Sequence, residues 1–326
     1  MGGFSYDRDD YDTSSSWSSS SSYSSSSCGD SDYSSMAASR MSARTLDESM
    51  LPNHRIASNS KHPIIIVLDV TGSNIDLARI VYDKAPMLYG QIEQKKYLDD
   101  FDICFIAVGD TEGDLYPLQV GNFAKGIDID SYLEKIVLEG HGQGNDGESY
   151  EVAAYYLTHY MDLPAGAKPI IFFQGDEPTH GKPTKDSVLS AGIPDFNGDT
   201  SDVWKALRRI CDDNVYMLLG KYNGSYWDKP IENHWKALLA DEHVIRVHED
   251  KAIADLILGV VSMVSSARDM ESYKVDMIER GQTQKRIENV TDSLKNLSTA
   301  LAVVNMNTSI SATTATKKTN SKAKRL

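Results

Sequence analysis

What the chain has little of limits it first. Its 326 residues include three cysteines, Cys28, Cys104 and Cys211, an odd number set far apart, so no disulfide framework is implied. Cys104 lies inside an apolar run and Cys211 closes a helical one, as core thiols do. No apolar run reaches membrane-spanning length, and the N-terminus is rich in Ser and Asp where a secretory leader would be charged and then apolar. Basic residues are short as well. The 33 Lys and Arg stand against 47 Asp and Glu, and the net charge of −14 argues against nucleic acid and membrane surfaces as partners. These absences together lead us to expect an intracellular, cytoplasmic protein. Catalytic signatures are also missing. The sequence holds no Gly-x-x-x-x-Gly-Lys-[Ser/Thr] phosphate loop and no Gly-x-Ser-x-Gly elbow. No nucleophile paired with a general base can be picked out, so an enzyme is not expected.

Composition divides what is present. Residues 1–60 are Ser-rich and low in complexity, punctuated by Tyr6, Tyr11, Trp17, Tyr23 and Tyr33. Such a stretch cannot bury enough apolar surface to offset its ordering entropy, and a disordered tail is expected. Residues 61–265 have globular composition. From 266 to 310 an amphipathic helix is expected, because Ile287, Val290, Leu294, Leu297, Leu301 and Val304 alternate spacings of three and four. That seam admits two readings: a helix packed back on the domain, or a short coiled coil through which residues 287–304 self-associate. Residues 311–326 read as a basic disordered tail.

Within 61–265, apolar runs alternate with amphipathic stretches. Ile64 to Leu68, Phe101 to Val108 and Lys168 to Gln174 read as strands buried on both faces. Leu115 to Val120 reads as a short paired strand, and Val215 to Leu219 and Val244 to Val247 as further strands. Helices are expected over 75–97, with a kink or break at Pro86, and over 129–138, 148–160, 202–211, 231–239 and 251–264. The expected fold class is therefore α/β: a doubly wound, Rossmann-like, mostly parallel sheet with one antiparallel edge strand and helices on both faces.

Ligands of such sheets bind beyond the carboxyl ends of the strands. There the first buried run closes in Asp69-Val70-Thr71-Gly72-Ser73, one carboxylate and two hydroxyls within five residues. Hard oxygen donors of this kind suit Mg²⁺ or Mn²⁺, with Ca²⁺ possible. This Asp-x-Thr-x-Ser resembles the Asp-x-Ser-x-Ser signature of von Willebrand factor A domains, which opens their metal-ion-dependent adhesion site. Two further loops carry the resemblance: the Gly-rich Gly144-Asn145-Asp146-Gly147-Glu148, and Gly175-Asp176 after a buried run. By that resemblance the metal residues would be Asp69, Thr71, Ser73, Asp146 and Asp176, with Asn145 an alternative to Asp146. Thr71 and Ser73 would bind the ion through neutral oxygens, and Asp69 and Asp176 would orient hydroxyls and waters. Thr71 departs mildly from the usual Ser, while an acid stands at position 146 where Thr is usual.

The family resemblance implies a protein-interaction module in which an acidic residue of a protein partner completes the coordination. One alternative is a scaffold subunit of a larger assembly, such as a virion or bacterial complex. Another is an Mg²⁺-dependent hydrolase or phosphotransferase, though the haloacid-dehalogenase pattern needs an Asp where this chain has Thr71. The histidines show no i, i+4 ligand pair and are expected to be ordinary core or surface residues. Asp110 and Asp114 are expected to serve a turn.

Overall fold

A computed structural model describes residues 45–139, 147–181, 189, 191–193, 199–221 and 225–322, with side chains described as far as residue 304. The Ser-rich segment before residue 45, the loop holding Asn145 and Asp146, and the last four residues lie outside the described residues. Among those described, the main sheet has six strands: β2 (His62–Asp69), β3 (Phe101–Val108), β4 (Leu118–Val120), β6 (Ile170–Gly175), β7 (Val215–Leu219) and β8 (Val244–Arg246). Their spatial order is β4-β3-β2-β6-β7-β8, parallel throughout except for β4, which runs antiparallel at one edge. The expected fold class is what the chain adopts.

The apolar runs are continuous because each strand feeds two cores. In β2, Ile64, Ile66 and Leu68 face one layer while Ile65 and Val67 face the other. The first layer is filled by α1 (Ile75–Gln94) and α5 (Ile253–Val264). The second takes α2 (Tyr150–Tyr160), α3 (Thr200–Ile210) and α4 (Ser225–Leu238), where Trp204 and Trp235 meet edge-on at 5.2 Å. No helix among the described residues is long and apolar enough to cross a membrane.

Several local expectations need correction. The helix does not break at Pro86, one of the two outcomes expected there, but runs on as α1 from Ile75 to Gln94 with Pro86 inside it. Pro86 lies on its exposed face, where the carbonyl that loses its amide partner can turn to water. The helix expected over 129–138 shrinks to a 3-10 turn (Gly126–Ile129) and a single α turn (Asp130–Leu133). Gln119, on the edge strand, takes both backbone groups of Val137: its Nε2 donates to the carbonyl and its Oε1 accepts from the amide, each at 2.8 Å. That exchange holds the chain out of a helix. Residues 45–60, assigned from sequence to the tail, are packed on the domain. Leu46, Met50 and Ile56 are buried, and β1 (Ile56–Ala57) pairs in parallel with β5 (Met161–Asp162). Arg55 fastens the segment through a two-pronged bond to Asp162, at 2.7 and 2.6 Å.

Beyond α5 come α6 (Met270–Glu279) and α7 (Gln284–Lys322). The heptad-like seam packs back on the domain: Ile287, Val290, Leu294 and Leu297 are buried in the first core, so they are not a free face for a coiled coil. Val303 and Val304, at the far end of the seam, are 54% and 59% exposed. The backbone stays helical to Lys322, through residues expected to be a disordered tail, and no described contact accounts for that extension. Arg280, between α6 and α7, is buried against Asp255 of α5 at 2.9 Å and ties this helical pair to the sheet layer. Leu294→Ala should therefore cost about 2–5 kcal/mol in urea unfolding, whereas Val304→Ala should cost less than about 0.5 kcal/mol. A self-association seam would give the reverse ranking, together with a loss of oligomer on sizing.

Candidate metal centre

Because β2 and β6 are adjacent and parallel, with Leu68 opposite Gln174, their carboxyl ends set Asp69 beside Gly175-Asp176. The turn after β2 is built by its own side chain. Oδ1 of Asp69 accepts the Thr71 amide at 2.9 Å and the Thr71 hydroxyl at 2.6 Å, the local bonding that Asp offers a tight turn. The Asn74 carbonyl then accepts the Ala78 amide at 2.9 Å and starts α1, but its side chain does not cap that helix. It reaches sideways instead. Asn74 Nδ2 donates to Asp69 Oδ2 at 3.0 Å and also, by a short bond, to Asp176 Oδ1. Gln174 fixes the amide's orientation by donating to Asn74 Oδ1 at 2.9 Å.

The remaining contacts complete a closed arrangement. The Tyr150 hydroxyl, from the start of α2, donates to Asp69 Oδ2 by a short bond. Gly175 makes room for it, since a Cβ there would run into the Tyr150 ring. Ser73, which is exposed, donates its hydroxyl to Asp176 Oδ1 at 3.1 Å. Asp69, Thr71, Asn74 and Asp176 are all buried. Of the five residues expected from sequence, the structure thus brings Asp69, Thr71, Ser73 and Asp176 together, while Asp146 lies outside the described residues.

The same end of the sheet collects more acid than the motif announced. Asp110, Glu139, Glu148 and Glu151 are buried there, and Asp114 is partly so. Asp110 and Asp114 do serve a turn, as expected: the Asp110 amide donates to Asp114 Oδ2 at 2.7 Å and the Glu112 amide to Asp110 Oδ1 at 3.1 Å. Glu139 accepts the amides of Leu115 and Tyr116 at 2.9 and 2.7 Å. His180, read from sequence as ordinary, stands with Nε2 3.4 Å from Asp110 Oδ1, and that carboxylate raises its pKa. No Lys or Arg among the described residues pairs with Asp69, Asp114, Glu148, Glu151 or Asp176.

Crowded, buried acids without counter-ions bind their protons more tightly than free ones. Burial pushes the Asp69 carboxyl upward, against the pull of its Thr71, Tyr150 and Asn74 donors. Burial, then the neighbouring Asp69 charge, raises Asp176 to about 7. Asp114 and Glu151 are likewise pushed to about 7, mainly by burial.

The residues present fit a small hard cation. Both hydroxyl hydrogens point at carboxylates, which leaves oxygen lone pairs of Thr71 and Ser73 free to meet an ion. No group of three His, Cys, Asp or Glu side chains among the described residues is arranged to hold a metal, so the hydroxyls are an essential part of any such site.

Sequence reasoning missed Asn74, Gln174 and Tyr150. A signal existed for two of them: Gln174 is a polar residue inside an apolar strand, and Asn74 directly follows the hydroxyl motif.

The sequence matches no family profile and no characterised protein. Solved structures with a related chain course include proximal thread matrix protein 1 from the mussel byssus, at TM-score 0.41 and 9% identity over 64% of this chain and 49% of that one. The same protein with a zinc-occupied MIDAS motif gives the same values. The pilus adhesin SpaC of Lactobacillus rhamnosus GG, in an open conformation, matches at TM-score 0.41 and 11% identity over 68% of this chain and 31% of that one. The chain spans about half or less of the length of these proteins, and none of the likenesses bears on what it binds.

In metal-free protein the raised Asp176 carboxyl has a signed consequence. The folded state holds that proton up to about pH 7, while the unfolded chain releases it near the ordinary aspartate value of 3.8. The associated stability is complete below that value and is lost as pH rises through about 7. In chelator-treated urea melts, wild type should lose up to roughly 4 kcal/mol relative to Asp176→Asn between those limits. A constant difference between the two proteins across that range would contradict the shift.

Proposed function

We propose that this chain is a von Willebrand factor A-type module that holds a divalent cation and engages a protein partner through it. The observation that carries this reading is the pair of hydroxyls, Thr71 and Ser73, each aimed at a buried carboxylate that has no Lys or Arg beside it. Thr71 and Ser73 would meet the ion directly. Asp69 and Asp176 would orient those hydroxyls and bound waters, and Asp146, or Asn145, would be the further ligand that the family resemblance implies. Bound there, the cation would supply positive charge and an open coordination position, which suits an acidic side chain from a partner. Ser73, the exposed member of the set, marks where that side chain would enter. Mg²⁺ or Mn²⁺ fits oxygen donors of this kind, and Ca²⁺ is the further candidate. A binding role accounts for these features without a nucleophile or general base.

Calorimetric titration of Mg²⁺, Mn²⁺ and Ca²⁺ into metal-stripped full-length protein tests the reading, with Asp69→Ala in parallel. One saturable site in the wild type, lost in the variant, is expected. Failure of all three ions to bind wild type would end the metal-dependent reading.

A further inference from the structure

Trp235 is fully buried on α4, a helix that supplies none of the oxygens of the candidate centre. Its contacts nevertheless lead to all three loops of that centre. The ring packs edge-on against Tyr150 at 5.4 Å, and Tyr150 donates its hydroxyl to Asp69 at the end of β2. The indole Nε1 donates to the Glu177 carbonyl at 2.9 Å, one residue past Asp176. Glu177 Oε2 in turn accepts the Gly147 amide, in the Gly-rich loop, at 3.0 Å. Trp204 provides the contrast within the same aromatic cluster. It is equally buried and meets Trp235 edge-on at 5.2 Å and Phe173 at 4.8 Å, but its Nε1 has no hydrogen-bond partner among the described residues. Trp204 contributes packing alone, whereas Trp235 adds a directed bond beside the site.

We infer that Trp235 is a positioning residue of the centre, the side chain through which α4 fixes the three loops relative to one another. This rests on the cation-binding module proposed above. Mg²⁺ demands near-ideal octahedral geometry, so small shifts among oxygen donors on separate loops lower its affinity. A ring holds its neighbour at van der Waals distance but lets it slide, whereas the Nε1–H bond sets both distance and direction. Trp235 thus acts on the ion at second hand, through Tyr150 on Asp69 and through Glu177 on Asp176 and Gly147.

Calorimetric titration of Mg²⁺ into the metal-stripped full-length chain tests this, with Trp235→Phe and Trp204→Phe compared. Trp235→Phe keeps an aromatic ring and loses the donor, and it should weaken Mg²⁺ binding about tenfold. Trp204→Phe should stay within about twofold of wild type, although both variants shed an indole from one core and should melt below it. Wild-type affinity in Trp235→Phe, or an equal loss in Trp204→Phe, would overturn the assignment. A second measurement needs no folded Trp235 variant. In full-length chain labelled with 5-fluorotryptophan, the fluorine lines of Trp17, Trp204 and Trp227 are assigned from their own Phe variants, which leaves the fourth line to Trp235. Saturating Mg²⁺ should shift that line and leave the Trp204 line in place. An unmoved Trp235 line, with Mg²⁺ bound by calorimetry, would overturn the assignment while leaving the metal module intact. If wild type fails to bind Mg²⁺ the assignment falls, and the module falls with it only if Mn²⁺ and Ca²⁺ also fail.

Discussion

One carboxamide bridges two buried acids at the end of the sheet, and the architecture of the centre follows from it. Asn74 donates to Asp69 and Asp176 at once, although these residues sit on different strands. Two carboxylates this close, out of water, repel each other, and a single neutral donor only partly relieves that cost. Every other feature of the site supports the bridge. Gln174 orients the amide, Gly175 opens space for Tyr150, and the Tyr150 hydroxyl donates to Asp69 from the start of α2. The frame gathers buried carboxyl groups with no Lys or Arg among the described residues beside them, and ionising them together is costly without a cation.

Rigidity comes from the two cores. The continuous apolar strands lock the sheet between α1 and α5 on one face and α2, α3 and α4 on the other. The C-terminal helices add a further layer, because the apolar seam of α7 and the buried Arg280–Asp255 pair hold them to α5. Strand ends anchored in this way cannot separate to lower the repulsion between their acids. Stability elsewhere in the fold therefore sustains an unfavourable cluster at one end, a common relation between scaffold and functional site.

The sequence made the sheet legible because strands buried on both faces leave runs such as Ile64 to Leu68 that alternate between two cores. That Asp69, Thr71, Ser73 and Asp176 meet was legible for a related reason, since each falls just past such a run. The rest depended on distant partners. Nothing local to Gln119 announces that it will capture Val137 and cut a helix short. Tyr150 and Asn74 acquire their roles from residues about 80 and 100 positions away along the chain. Leu46, Met50 and Ile56 are too sparse among polar neighbours to signal that their segment packs. The α7 seam looked the same whether its partner was another chain or its own domain, because the three-and-four spacing encodes an apolar stripe and not what covers it.

The central claim is that the acids at the carboxyl end of the sheet are arranged for a cation held by the Thr71 and Ser73 hydroxyls. Anomalous diffraction from crystals grown with Mn²⁺ tests it most directly. The account requires one strong peak within bonding distance of both hydroxyl oxygens and adjacent to Asp176. A crystal with no peak there, or with Mn²⁺ confined to surface carboxylates elsewhere, would contradict it.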